Sequence, residues 1–267
     1  AKMLDFAHGD VIMIGAYVAF TAVSGMGMPP VVGVLLSVVT CTVLGVLIER
    51  IAYKPLRKAS KLAVLITAIG VSYFLQNVAL LIYGANTKSF TSVVTIPALK
   101  LMDDKLVISG ETIVTVVACL IIMAGLMTFM KYSKSGRAML AVSEDSGAAQ
   151  LMGVNVNATI ALTFAIGSAL AAIAGVLLCS YSPVLQPTTG SMPGSMPGIK
   201  AFTAAVFGGI GSIPGAFLGG LLLGVIEAMA QAYISTQLSN TILFAVLIVV
   251  LLVKPSGLLG KYVPEKV

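Results

Sequence analysis

Apolar runs of membrane-spanning length, broken by short polar or proline- and glycine-rich stretches, set the pattern of this chain. The first runs from Val11 to about Met28 and ends at Pro29-Pro30, because proline cannot continue a helix and disfavours helical backbone before it. Val31–Ile48, Leu62–Tyr83, Thr112–Met130 and Ala158–Tyr181 follow, all without a charged residue. Three shorter or interrupted runs close the chain: Lys200–Gly211, Ala216–Tyr233 with Glu227 inside it, and Asn240–Val253. Leu62–Tyr83 alone would make about 33 Å of helix, enough to cross a hydrocarbon core of about 30 Å. The pattern predicts an all-α polytopic membrane protein with roughly seven to eight transmembrane or half-membrane helices, arranged as one transmembrane domain over residues 1–267. The ten-residue alternation of a membrane β-barrel is absent from the sequence.

The polar stretches add the topology. Residues 84–111 carry both signs of charge and alternate at Thr91–Ile96 and Leu106–Ile108, which predicts two short strands. Ser182–Gly198 is a proline- and glycine-rich loop with a direct duplication, Ser191-Met-Pro-Gly then Ser195-Met-Pro-Gly. Of the 16 Lys and Arg, eleven fall in 49–61, 131–157 and 254–267. The positive-inside rule puts those three segments in the cytoplasm and 84–111 and 182–198 outside. The spans between them then alternate in direction as they must. A cytoplasmic tail requires an odd number of crossings after residue 190. Lys200–Gly211 is too short for a straight span, so it is expected to supply a half-helix or re-entrant element buried in protein. Parity places residues 1–9 on the cytoplasmic side if 11–28 crosses fully, and a broken helix there would void that placement.

Composition agrees: 58% of residues are hydrophobic and 10% charged, against about 25% charged in a soluble domain. Cys41, Cys119 and Cys179 all lie inside apolar runs and read as small hydrophobes. One histidine, His8, effectively excludes a His-based metal site and leaves little room for a catalytic triad. No Gly-x-x-x-x-Gly-Lys-Ser/Thr phosphate loop, Gly-x-Ser-x-Gly elbow or His-Glu-x-x-His motif occurs. An enzyme is therefore not expected, nor a cofactor in this chain, nor a nucleic-acid partner. Glycine-rich 208–215 fits helix breaking and close helix approach. Small residues four apart (Gly167/Ala171/Gly175, Gly215/Gly219, Gly220/Gly224) fit either packing within the chain or a dimer face. His8, Asp10, Gln76, Asn77, Lys200, Glu227 and Gln231 are the polar groups at membrane depth. A charge at the bilayer centre costs roughly 2.5–3.5 kcal/mol on insertion scales, so such residues face protein or water. Lys200 and Glu227 could equally lie near interfaces and snorkel.

Another interior stretch that is not membrane-like is Ser135–Asn157, led in by Lys131 and Lys134. Ser143 or Asp145 could cap a short helix through Ala148, Ala149, Leu151 and Met152 that ends at Gly153. Its apolar side (Ala148, Leu151, Met152) would suit a partner's groove and its acidic end (Glu144, Asp145) a basic partner. Composition alone fits a solvated loop equally well.

Three stretches resemble the permeases of branched-chain amino acid ATP-binding cassette importers. They are Met3-Leu-Asp-Phe-Ala-His-Gly-Asp-Val-Ile-Met-Ile-Gly-Ala-Tyr17, Gly136-Arg-Ala-Met-Leu-Ala-Val-Ser-Glu-Asp145, and Lys200-Ala-Phe-Thr-Ala-Ala-Val-Phe-Gly-Gly-Ile-Gly-Ser-Ile-Pro-Gly-Ala216. The resemblance runs the whole chain and lies nearest the first of the two paired permeases. It implies a multi-pass inner (plasma) membrane subunit for branched-chain or related hydrophobic amino acids. The implied partners are a second homologous permease, two cytoplasmic ATPases that carry ATP and Mg, a periplasmic or extracellular solute-binding protein, and the lipid bilayer. The loop 131–157 would hold the coupling helix that docks in the ATPase, carried over to Glu144, Asp145, Ala148, Ala149, Leu151 and Gly153 with Arg137 as lead-in. Glu144 stands one position further from the alanines than the family pattern. Ala149→Glu is expected to abolish transport and leave insertion intact. Phe6, Ala7, His8 and Gly9 would belong to a broken helix near the translocation path, for which Asp10, Gly208, Gly209 and Gly211 are further candidates.

Two departures from the family are expected: the hydrophobic helix that precedes the Met3 motif in the family is expected to be lacking, and the Ser-Met-Pro-Gly duplication resembles a four-residue insertion in an outer loop. Rival readings are a related permease for an amide, urea or a sugar, a self-contained secondary carrier or channel, and an assembly subunit with no pathway of its own.

Overall fold

The structure is a computed structural model that describes residues 7–56, 59–89, 99–101, 106–182, 184–185 and 195–260. Ten α-helices are described: α1 (His8–Phe20), α2 (Pro30–Ile48), α3 (Lys61–Tyr83), α4 (Gly110–Tyr132), α5 (Lys134–Glu144), α6 (Ser146–Leu151), α7 (Val156–Tyr181), α8 (Ser195–Gly208), α9 (Ile213–Tyr233) and α10 (Ser239–Val253). Single π-helical turns, Thr21–Gly25 and Glu49–Tyr53, prolong α1 and α2. Among the described residues five helices are long and apolar enough to cross a membrane: α2 with its extension, α3, α4, α7 and α9; α10 is apolar but shorter. With α1 and α8 this is the expected all-α polytopic membrane architecture, and the span limits match the hydropathy runs to within a few residues.

Contacts group the chain into two compact units, residues 1–122 with 128–198, and 123–127 with 199–267. In the first unit α1, α2 and α7 pack most closely, and α3 lies against α1. Backbone approach there depends on small side chains. A Cβ at Gly15 would sit 2.7 Å from the Ala172 Cα. One at Gly45 would strike the Ser168 hydroxyl, and one at Gly175 the Ile12 carbonyl. The Ser37 hydroxyl donates to the Gly15 carbonyl at 2.6 Å, and the Cys41 thiol lies 3.7 Å from the Val11 carbonyl. The Ala171/Gly175 pair thus serves packing within the chain.

Among the described residues two antiparallel strand pairs occur. Leu99–Leu101 (β2) pairs with Leu106–Ile108 (β3), the second of the two expected strands; the other, Thr91–Ile96, lies outside the described residues. Lys88–Ser89 (β1) pairs with Val184–Leu185 (β4). That pairing joins the segments after α3 and after α7 at one end of the unit, as the charge distribution requires of two loops on one side.

The contacts of α1 bear on the condition attached to residues 1–9. Asp10, in the first turn of α1, meets Ser72 and Gln76. Those residues lie about 16–22 Å along α3 from its start, at a rise of 1.5 Å per residue, which is near the middle of a 30 Å core. At the other end of α1, Tyr17 stacks on Tyr83, the last residue of α3, and the Thr21 hydroxyl donates to the Tyr83 hydroxyl at 3.1 Å. The run 11–28 therefore rises from mid-depth to the outer end and does not cross fully, so parity does not fix the side of residues 1–9.

In the second unit α8 is short, 14 residues. The Gly208–Gly215 turn returns the chain into α9, which Ser212 caps by accepting from the Gly215 N–H at 3.2 Å. A Cβ at Gly208 would overlap the Gly215 carbonyl, and one at Gly219 the Ala204 carbonyl. After α10 the chain tucks back: Leu258 and Leu259 donate to the Phe207 and Gly208 carbonyls, each at 2.9 Å.

Candidate functional site

The non-membrane segment between α4 and α7 is two helices, α5 and α6, where the sequence suggested one helix with a lead-in. Ser133 accepts from the Gly136 N–H at 2.8 Å and starts α5 immediately after α4. A Cβ at Gly136 would strike the Phe129 carbonyl and come within 2.6 Å of the Met130 Cα. Glycine alone lets α5 fold back so closely on the last turn of α4. Glu144 is the last residue of α5, so it belongs to a different helix from 146–151.

Asp145, in extended conformation, separates the two helices. Its carboxylate accepts from the N–H groups of Gly147 (2.8 Å) and Ala148 (3.0 Å), so Asp145 is the cap. Ser143 instead donates to the Leu140 carbonyl within α5. At the far end Gly153 takes φ +84°, a left-handed conformation that glycine adopts without strain. Val154 N–H donates to the Ala149 carbonyl and Gly153 N–H to the Gln150 carbonyl, both at 3.0 Å. These two bonds form the Schellman arrangement that closes a helix.

The faces of α6 divide sharply. Leu151 and Met152 are 89% and 84% exposed, and Ala148, Asp145, Glu144 and Arg137 are exposed beside them. Ala149 is 4% exposed and faces inward, together with buried Gly136 and Val142 of α5. Ala149→Glu would therefore drive a carboxylate into the packing under α6, so it does not isolate a surface contact.

The translocation-path candidates divide between the two units. Phe6 lies outside the described residues. His8 is half-buried, Gly9 is buried, and Asp10 is 0% exposed. The Asp10 carboxylate accepts from the Ser72 hydroxyl and from the Gln76 amide at 2.9 Å, inside the α1–α3 contact. Ser72 and Gln76 stand four residues apart on one face of α3, a spacing visible in the sequence. Ser72 escaped notice because its relevance appears only once α1 is placed beside it. Asn77 instead turns back to the Tyr73 carbonyl at 2.7 Å. Gly208, Gly209 and Gly211 form the α8–α9 turn. Gly209 (φ +113°) packs against Gly257 and Gly260, where added side-chain atoms would collide with backbone.

Lys200 and Glu227, unpaired in the sequence reading, form an ion pair between α8 and α9 at 2.6 Å, with side chains 35% and 21% exposed. Gln231, one turn beyond Glu227, donates to the same carboxylate oxygen at 3.2 Å.

A family described as the permease component of the branched-chain amino acid transport system matches residues 1–251. The high-affinity branched-chain amino acid transport system permease protein BraD of Pseudomonas aeruginosa is 44% identical over 200 residues, covering 70% of this chain and 64% of that protein. The permease protein LivH of Escherichia coli K12 is 42% identical over 200 residues, covering 71% and 65% respectively. A probable branched-chain amino acid transport permease protein LivH of Methanocaldococcus jannaschii is 28% identical over 195 residues, covering 70% and 60%. The chain thus spans a little under two thirds of the length of these relatives. No solved structure matches it. With a match across nearly its whole length, the chain belongs to the family of branched-chain amino acid transport permease components.

Proposed function

We propose that this chain is a permease subunit of an ATP-driven importer that passes branched-chain or related hydrophobic amino acids across the inner membrane by alternating access. In this reading it works beside a second homologous permease, two cytoplasmic ATPases that bind ATP and Mg, and an external solute-binding protein. The observation that carries it is α6: a capped helix outside the apolar spans, with Leu151 and Met152 presented outward, in a chain of this family. Two large apolar side chains held outside the membrane helices match a hydrophobic groove on a partner, and exposed Glu144 and Asp145 match basic residues at its rim. Binding and release of ATP on the partner would move α6, and the closely packed α5–α4 turn would pass that movement to the membrane helices.

The test is reconstitution of the chain with its paired permease, ATPases and binding protein in proteoliposomes. Leucine uptake and ATPase activity stimulated by loaded binding protein are expected. Leu151→Glu is expected to lower both at least tenfold at wild-type abundance. Wild-type uptake by that variant overturns the docking role of α6. Solute flux through this chain alone, without the ATPases, overturns the importer reading.

A further inference from the structure

We infer that the Lys200–Glu227 pair is a transient binding subsite for the zwitterionic headgroup of an α-amino acid, an inference that rests on the permease reading above. Ionisable side chains in membrane helices are costly to insert, and a substrate or ion pathway is among the roles that retain them. Glu227 lies about 21 Å along α9 from its start and about 9 Å from its end, well within the span. Lys200 lies about 12 Å from the Gly208 end of α8.

The bonding of the pair leaves capacity for a ligand. Lys200 and Gln231 both engage the same Glu227 oxygen, Oε1. Among the described residues Glu227 Oε2 has no partner, and two of the three Lys200 ammonium N–H groups have none. Both side chains are partly exposed on the surface of this chain, so its own packing does not enclose those groups. An α-amino acid offers the complementary arrangement: its ammonium can donate to Oε2 while its carboxylate accepts from Lys200. Two opposed dipoles side by side cancel each other's fields, so the headgroup is stabilised at a depth where either charge alone would be expelled. The apolar side chain needs no polar partner, and the subsite discriminates zwitterions from neutral solutes of similar size.

A purely mechanical role is already filled by other contacts. The α8–α9 hairpin is closed by the direct backbone approach of Gly208 to Gly215 and of Gly219 to Ala204. Main-chain bonds from Leu258 and Leu259 secure the end of α8.

The experiment uses the full reconstituted importer with Glu227→Gln, Lys200→Met and the charge-swapped double variant Lys200→Glu/Glu227→Lys. The single variants are expected to lower the maximal rate of leucine uptake per transporter at least tenfold. Membrane abundance, apparent KM and ATPase stimulation by loaded binding protein should stay near wild type. The swap re-forms an ion pair and should restore any lost stability, yet it reverses the dipole, so uptake should stay low. Recovery of uptake in the swapped variant overturns the subsite, because a structural joint tolerates either polarity. So does wild-type uptake by Glu227→Gln, or a loss of uptake in the single variants that only parallels lost abundance and melting temperature. Failure of the wild-type assembly to take up leucine would instead overturn the permease reading itself.

Discussion

Asp10 concentrates the energetics of the first unit in one side chain. A carboxylate with 0% exposure near mid-depth is tolerable because at least two donors, Ser72 and Gln76, point at it and because it sits in the first turn of α1, where the helix dipole favours negative charge. Removing the acceptor strands those donors at about 1–3 kcal/mol each. Asp10→Leu should therefore lower the melting temperature of the detergent-solubilised protein, while Asp10→Asn, which keeps a side-chain oxygen for Gln76, should recover most of the loss. The triple variant Asp10→Leu/Ser72→Ala/Gln76→Leu should be more stable than Asp10→Leu alone, since replacing a whole polar cluster by apolar groups removes the stranded donors. A triple variant no better than the single would show that the cluster is not the source of the loss. The sequence exposed Asp10 as a charge at depth but not its partners, because the pairing spans 62 and 66 residues and has no local signal. The same holds for Lys200 and Glu227, 27 apart.

At the scale of elements, legibility followed whether the stop and start signals were local. The cap Asp145 and the terminator Gly153 are adjacent in sequence to the helix they bound, so α6 could be located before the structure. Helix α5 could not, because its position is set by a contact: Gly136 against Phe129 and Met130. Gly136→Val should displace α5 and lower the melting temperature by the equivalent of about 1–3 kcal/mol, the usual cost of overpacking. Gly70→Ala in α3 provides the control. Among the described residues nothing lies within 4 Å of a side chain there. Relief of the helix penalty of glycine, about 1 kcal/mol, should leave that variant as stable as wild type or more so. Equal losses in the two variants would exclude the close α4–α5 approach as the cause. The broken helix expected around Phe6–Gly9 came from the resemblance and not from hydropathy, which reports apolar length and not where buried backbone breaks.

Over the whole molecule the spans were the most legible feature, since bilayer thickness fixes their length irrespective of packing. Sidedness came from charge alone, and the structure adds an independent constraint: β1 and β4 pair, so the segments after α3 and after α7 must share one side. Helices α5 and α6 lie between α4 and α7, at the opposite ends of those helices from that pairing. Asn86 and Ser146, both exposed, therefore report opposite sides of the membrane. In a variant with Cys41, Cys119 and Cys179 replaced by alanine, Asn86→Cys should react with a membrane-impermeant maleimide on intact cells. Ser146→Cys should react only after the membrane is permeabilised. The reverse pattern would place α6 outside, beyond the reach of any cytoplasmic ATPase, and would invalidate coupling through Leu151 whatever the uptake of its variants.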